Sequence, residues 1–422
     1  MKKQSKSIIQ ILILSLAVTL LASCGYEPVF YGIMHDVLPE EATVSGNITS
    51  IARCTIDSKE YLFVSGGGAL SYKPLDSAQH GDWKSTGNLP FSMHRYNYYP
   101  SDSTPEGHIG QQILKVISDK DYIYLLSTSY TTDTEYGIVL PETFYIWTCP
   151  LSKVLSAKSS DWTNITKGNE SLFATKYNSS AGLFETYFSF FMTNSPKTEH
   201  RKAFFVCHPS AAETKYYVLN GTGALTPVDD ITTIGQFITV KDGNTRANSA
   251  FYLGDTLYFS DSQVVTTNET AAANATYACL AGMSSTQYSN SVLYTFDGTQ
   301  KQELLSVDTS IASLALTADS LLIGKGSYSS SSSNGGIDRV LIDETTGMPL
   351  DTPAAFTTNA KYQFTSSYIL MSLLCADPTK NEEEASLYAA VTYRGTSSAS
   401  SASFENIGLW SYYPGRGNWN RE

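Results

Sequence analysis

One short sequence pattern recurs six times along the chain, and this repetition constrains the fold more than any other feature. Each copy is a turn, often with an acidic residue, followed by at least three apolar residues rich in aromatic side chains. The apolar residues that align between the copies are Leu62, Ile123, Phe204, Leu257, Leu321 and Leu387. Consecutive apolar residues, in place of strict alternation, indicate strands that are covered on both faces. We therefore expect six equivalent units, each buried between its neighbours.

Further strand-like segments surround each copy of the pattern. An apolar segment such as 113–117 or 311–316 precedes it across a short turn, and a third segment follows it and ends at a turn residue. In three copies a fourth element is centred on a tryptophan, at Trp83, Trp162 or Trp419. Four antiparallel strands per unit, repeated and covered on both faces, are typical of β-propeller blades.

The predicted fold class is therefore all-β, a β-propeller of six four-stranded blades that occupies residues 47–422. A seventh, degenerate blade is an open alternative, and 26–47 or 225–250 would hold it. Several separate β-sandwich domains are the competing architecture. Against them, no linker rich in proline or serine divides the chain into equal blocks.

Two of the copies resemble blades of the kelch type. The first has three glycines at 66–68, then Tyr72 and Pro74, then Trp83, and the last has Tyr412 and Pro414 before Trp419. Only the first copy has the glycine run, and the period near 65 residues exceeds the usual ~50. The resemblance therefore implies a shared blade shape and is not taken as common ancestry.

The first 24 residues combine a basic start, an apolar run and a cysteine. Lysines precede an apolar segment over 8–22, which is too short for a comfortable membrane span and typical of a secretory leader. It ends in Leu-Ala-Ser-Cys at 21–24, which is similar to the lipobox of bacterial lipoproteins. That similarity implies a signal peptide over 1–23 and a tether over 24–46 lipidated at Cys24. The alternative is an ordinary signal peptide with a chance cysteine.

Charge and cysteine content exclude several classes of protein. Lys and Arg number 28 against 40 Asp and Glu, for a net charge of −12, so we expect no nucleic-acid partner. The five cysteines after Cys24 are widely spaced without a CxxC pair, which indicates buried apolar residues more than a disulfide framework or zinc site. Whether one pair is bridged is left open.

Catalytic motifs are not apparent. The sequence contains no HExxH and no GxSxG, and its six histidines are scattered, so we expect no metal ion and no cofactor. Catalytic carboxylates on a propeller can be far apart in sequence. Enzymatic activity is therefore left uncertain, with a binding role favoured.

An aromatic segment at 91–100 is the main candidate for ligand binding. It lies between Trp83 and the strand predicted at 113–117, and it supplies the candidate ligand-binding residues His94, Arg95, Tyr96, Tyr98 and Tyr99. Tyrosine and arginine are enriched at binding hot spots, and flat tyrosine rings also stack on sugars. The alternative is that this segment packs on the rim of its blade.

The longest segments of the chain are expected to meet on one face of the propeller. In an antiparallel four-stranded blade, the loops between second and third strands and the links to the next blade lie at the same end. The five long segments are 87–111, 127–143, 261–290, 325–338 and 392–406. Because function concentrates on long loops carried by a rigid scaffold, this face is the predicted ligand surface.

The sequence thus predicts a lipoprotein of the bacterial cell envelope, anchored to a membrane by its lipid. It would act as a binding or scaffold module whose ligand is a protein or a carbohydrate. The membrane concerned and the periplasmic or surface location are left open. A carbohydrate-active enzyme on a propeller is the alternative, and acids converging on the central channel would distinguish it.

Overall fold

The structure is a computed structural model of the 422-residue chain. It describes Val44, Ile48, Gly223 and Leu225 together with residues 50–66, 69–75, 83–91, 109–133, 138–173, 175–178, 183–186, 188–194, 202–210, 213–221, 245–253, 256–264, 288–296, 301–307, 311–325, 335–343, 349–356, 368–393, 408–413 and 418–422. All belong to one compact unit, residues 42–422. The lipidation site predicted at Cys24 lies outside these ranges.

Antiparallel sheets follow one another along the chain. The first is β1 (Ser50–Ile56), β2 (Lys59–Gly66), β3 (Ala69–Pro74) and β4 (Lys84–Ser85). The second is β5 (Ile109–Ser118), β6 (Tyr122–Asp133), β7 (Ile138–Pro150) and β8 (Thr163–Asn164). A hairpin of β9 (Thr175–Asn178) and β10 (Leu183–Thr186) precedes the third, which is β11 (Phe188–Asn194), β12 (Ala203–Ser210) and β13 (Glu213–Leu219).

The remaining three sheets have four strands each. The fourth is β14 (Thr245–Leu253), β15 (Thr256–Val264), β16 (Tyr288–Phe296) and β17 (Lys301–Val307). Parallel pairing of β11 with β14 joins the third and the fourth into one continuous seven-stranded sheet. The fifth is β18 (Ile311–Leu316), β19 (Ser320–Lys325), β20 (Gly336–Leu341) and β21 (Ala354–Ala355). The sixth is β22 (Tyr368–Cys375), β23 (Leu387–Tyr393), β24 (Gly408–Tyr413) and β25 (Asn418–Arg421).

The six sheets are the blades of a closed ring. The first strand of each blade, here called its inner strand, contacts the inner strands of the blades before and after it, and β22 of the sixth blade contacts β1 of the first. The six blades close this ring, which leaves no place for a seventh blade. Residues 245–250, the end of the segment 225–250 that was one alternative location for a seventh blade, belong to β14. The fold is therefore a six-bladed β-propeller, and the alternative of separate β-sandwich domains is wrong.

The recurring pattern forms the second strands, as predicted. The aligned residues fall in β2, β6, β12, β15, β19 and β23, and Leu62, Ile123, Leu321 and Leu387 are fully buried. The short turns predicted at 118–121 and 317–320 join first to second strands. The tryptophans mark the outermost strands: Trp83 and Trp162 directly precede β4 and β8, and Trp419 lies within β25.

Some local predictions differ from the structure. Residues 127–143 were expected to be a long loop, but β6 extends to Asp133 and β7 begins at Ile138, so most of this segment is a long hairpin. Its alternating threonines and tyrosines suit an extended ladder. A single helical turn, α1 (Leu151–Val154), follows Pro150, and no helix among the described residues is long and apolar enough to cross a bilayer.

The cysteines within the described ranges lie in the core. Cys54, Cys149, Cys207 and Cys375 are all buried, in agreement with their interpretation as small apolar residues. Burial raises the pKa of the Cys149 and Cys375 thiols to about 12. These two side chains therefore stay protonated at neutral pH and contribute through packing.

Candidate functional site

The predicted ligand surface corresponds to one end of the ring, which we call the loop face. Second strands end and third strands begin there, and the links between blades return to it. The segments between β15 and β16, between β19 and β20, and between β23 and β24 leave the described strands at this end, as does the link from β4 to β5. The hairpin of β6 and β7 within 127–143 also joins a second to a third strand, so the topology agrees with the predicted shared face for all five long segments.

The tyrosine segment itself lies outside the described residues, but both of its flanks are placed. His94, Arg95, Tyr96, Tyr98 and Tyr99 all fall in 92–108, between two described stretches of chain.

Both flanks of this segment contact Trp147 on β7. The ring of Phe91, directly before the segment, packs against Trp147 with centroids 5.8 Å apart. After the segment, Gln111 on β5 accepts a hydrogen bond from Trp147 Nε1 through its Oε1 at 3.1 Å. Ser127 Oγ donates to the same Oε1 at 2.8 Å. The described flanks of the predicted binding segment therefore both contact one indole on β7.

The axis of the ring is a second candidate site, and it is built from equivalent inner-strand positions. These positions pair with the residue three beyond the aligned apolar position of the second strand, and they are Ser50, Lys115, Ser249, Ser313 and Ser372. In all but Ser50 a register irregularity directly precedes the position. Such bulges re-aim a side chain. In the third blade the same pairing rule gives Phe188, opposite Cys207, and the end of this inner strand also pairs in parallel with β14.

Three of the serines at these positions join neighbouring blades. Ser50 Oγ donates to the main-chain oxygen of Val116 at 2.9 Å, and Ser313 Oγ donates to that of Leu373 at 3.1 Å. Ser372 Oγ accepts from the Ile51 amide at 3.2 Å. In each case the partner lies one residue beyond the equivalent position of the next inner strand. Three successive junctions, from the fifth blade around to the second, therefore share one serine contact.

Lys115 takes the place of this serine in the second blade. Its neighbours Leu114 and Val116 are buried, whereas Lys115 is partly exposed. The protein packed around the side chain disfavours its charged form and lowers the pKa of Lys115 to about 8. At neutral pH the ammonium is still the main form. The inner strand of the second blade thus carries a positive charge that sequence reasoning did not single out, although an alignment of the inner strands would have found it.

A buried ion pair joins the first and sixth blades. Lys73 Nζ on β3 lies 2.7 Å from Glu422 Oε2, and neither side chain is exposed. Trp83 Nε1 donates to the same oxygen at 2.7 Å, while Tyr413 OH donates to Oε1 at 3.1 Å. Lys73 Nζ also lies 4.9 Å from the ring centroid of Tyr388. We call these five residues the closure cluster, because they lie where the ring closes.

The electrostatics of the closure cluster favour an ionised glutamate. Burial alone would raise the pKa of Glu422, but the Lys73 ammonium and the donated hydrogen bonds outweigh it, so the pKa lies below the usual value of 4.5. Every polar partner is satisfied within the cluster. Its role is therefore structural, and it holds no group free to act on a ligand.

The opposite face of the ring carries acids that have local partners. Asp119 Oδ1 accepts from the amides of Asp121 and Tyr122, and its Oδ2 accepts from Tyr124 OH at 2.6 Å. Burial raises the pKa of Asp119 overall. Glu382 pairs with Arg339 at 3.2 Å. These carboxylates organise turns, and in the described ranges no group of three or more metal-ligating side chains converges.

Comparisons with known proteins give no family for this chain. No family model matches it, and no curated protein matches it. Solved structures that resemble it include the AofleA protein of Arthrobotrys oligospora, at 8% identity over 92% of this chain and 88% of that one, with a TM-score of 0.42. A fucose-specific lectin from Aleuria aurantia is 10% identical over 89% of this chain and 96% of that one, with a TM-score of 0.40.

A third similar structure has a different activity. It is a puromycin-hydrolyzing peptidase of Mycobacterium tuberculosis, 9% identical over 91% of this chain and 56% of that one, with a TM-score of 0.37. At these values the similarity says nothing about a ligand. The assignment as a β-propeller rests on the sheet order and on the ring of inner strands described above.

Proposed function

We propose that this protein is a lipid-anchored lipoprotein of the bacterial cell envelope that binds a protein or carbohydrate ligand through its loop face. The observation that carries the binding role is the attachment of the tyrosine segment at Trp147. Phe91 and Gln111, the described residues on either side of this segment, both contact the indole of Trp147. Recognition residues are commonly placed on such loops.

The chemistry of the segment favours flat or partly apolar ligands. Tyr96, Tyr98 and Tyr99 offer ring faces for stacking and hydroxyls for hydrogen bonds, and Arg95 adds a planar cation. These side chains are suited to pyranose rings and to protein hot spots alike. The membrane anchor is supported by the lipobox-like segment at 21–24.

A carbohydrate-active enzyme is the second candidate function. Acidic residues that converge on the central channel would favour it. The six equivalent inner-strand positions carry four serines, Lys115 and Phe188. This finding does not favour a pair of catalytic carboxylates there, and we therefore place binding first.

Replacing Tyr96, Tyr98 and Tyr99 together with alanine is expected to weaken ligand capture at least about tenfold, because truncated hot-spot residues each cost more than 1 kcal/mol. Binding would be measured on a glycan array and by capture of crosslinked envelope proteins. The matched control changes Asp57, Lys59 and Lys120, which are exposed on the opposite face, to alanine. Equal losses in both triple variants, or no loss in the tyrosine variant, would contradict the proposal.

Cells that express the protein are expected to incorporate a clickable fatty acid into it through Cys24, since a lipobox cysteine receives the acyl groups. A Cys24→Ser variant should lose the label and appear in the soluble fraction. A Cys54→Ser variant controls for loss of a thiol, because Cys54 is buried in the propeller. Label on the Cys24→Ser protein equal to that of wild type would rule out this anchor.

A further inference from the structure

Lys115 departs from a contact that three other blades share. At the junctions from the fifth to the sixth, the sixth to the first and the first to the second blade, a serine hydroxyl at the equivalent position bonds the main chain of the next inner strand. At the second blade this position holds a longer, cationic side chain. A register irregularity between Ile113 and Lys115 precedes it, and the side chain is partly exposed between buried neighbours.

The inner-strand stretches around Lys115 and its equivalents contain no acidic residue. Within two residues of Ser50, Lys115, Ser249, Ser313 and Ser372, the sequence has no aspartate or glutamate, and β11 (Phe188–Asn194) has none either. Lys115 is the one charged residue in these stretches. Among the described residues no carboxylate pairs with it, and the lowered pKa of its ammonium, about 8, comes from burial alone. An uncompensated cation in such a place costs free energy.

We propose that Lys115 binds an oxyanion, the carboxylate or phosphate group of a small ligand, at the axis of the propeller. A lysine ammonium offers three donors and a compact positive charge, which suits either group. Binding would supply the missing negative charge and offset the cost of burying the cation. The Ser50 hydroxyl of the first blade already bonds to the main chain of β5, and the third blade has Phe188 at the equivalent position, so Lys115 provides the main attraction.

This inference is independent of the loop-face proposal. The residues that flank the tyrosine segment contact Trp147, whereas Lys115 lies on the inner strand of the second blade. Loss of oxyanion binding with intact capture by the loop face, or the reverse, would therefore separate the two.

Calorimetric titration of the detergent-solubilised full chain with inorganic phosphate, and separately with acetate, tests the proposal. We expect wild type to bind at least one of them, and Lys115→Met to bind it about 10- to 100-fold more weakly, the range for a charge-assisted hydrogen bond. Lys115→Arg, which keeps the charge, should retain binding. Lys84→Met is the matched control, because Lys84 is exposed on β4.

A second readout needs no variant. Acetylation of Lys115 in wild type, followed by mass spectrometry across pH, should show a midpoint near 8 that moves upward by about one unit with saturating anion. If Lys115→Met fails to fold, the same titrations are made with Lys115→Ser. This variant has the residue that four other blades carry at the equivalent position. Wild type that binds neither anion would overturn the proposal, as would equal binding by Lys115→Met or a labelling midpoint that anions leave unchanged.

Discussion

Replacing Lys73 with methionine is expected to lower the free energy of unfolding by about 3–5 kcal/mol, the range for breaking a buried ion pair. The substitution keeps the aliphatic part of the side chain but leaves the Glu422 carboxylate buried without its cation. Since the pair joins the first and sixth blades, the loss falls on the contact that closes the ring. Guanidinium unfolding monitored by tryptophan fluorescence would measure it.

Two controls separate this effect from the loss of a surface charge. Lys153→Met breaks the ion pair with Asp161 at 3.0 Å, in which the lysine is largely exposed, and should cost less than about 1 kcal/mol. The double variant Lys73→Met with Glu422→Gln removes both charges and should recover more than half of the loss. A Lys73→Met protein as stable as wild type would contradict this account of the closure cluster. So would a double variant that is less stable than both Lys73→Met and Glu422→Gln alone.

Acid should weaken the same contact in a defined direction. The pKa of Glu422 is lower in the folded protein than its usual value of 4.5. The unfolded chain therefore binds the proton first as pH falls, and the stabilisation by the cluster is complete above about pH 4.5. It is lost as pH falls further through the folded-state pKa. Wild type should accordingly lose more stability between pH 5 and 3 than the double variant does.

Replacing Leu321 with alanine is expected to cost about 2–5 kcal/mol, because the side chain is fully buried and its removal leaves a cavity. Leu321 lies on β19, pairs with Leu316 and Val340, and belongs to the core of the fifth blade. Denaturant midpoints at unchanged slope would report the loss.

Leu350→Ala is the matched control for this prediction. Leu350 is 66% exposed and follows the fifth blade's third strand, so the same change of residue should stay within about 0.5 kcal/mol. If both substitutions cost the same, the assignment of the recurring pattern to the core would be wrong.

The blades were predictable because their signal is local. Second strands such as those around Leu62 and Leu387 are covered by a blade on each side, so apolar residues occupy consecutive positions. Burial on both faces marks every unit in the same way. The hairpin of β6 and β7 was missed because its outer half, with polar and aromatic residues, has the composition of a loop.

The contacts between blades were not predictable in the same way. Lys73 and Glu422 lie 349 residues apart, and the sequence around each residue does not indicate that it forms a buried ion pair. A lysine in a strand and a glutamate beside an arginine both resemble solvated surface residues. Lys115 was equally hard to predict, because it is unusual only in comparison with the serines at the equivalent positions of other blades. Only the ring brings these positions together.

The contiguity of the blades has a consequence for how this architecture can vary. Each four-stranded sheet is one uninterrupted stretch of sequence, and the Val44 amide lies 3.3 Å from the main-chain oxygen of Glu422, to which it donates. Linking these neighbouring positions and opening the chain between the fourth and fifth blades would give a circular permutant with the same set of blade junctions. The new peptide link would then lie at the closure cluster. The junction between the fourth and fifth blades, which the chain now crosses, would depend on non-covalent contacts alone. The order of blades along the gene is thus separable from the geometry of the ring.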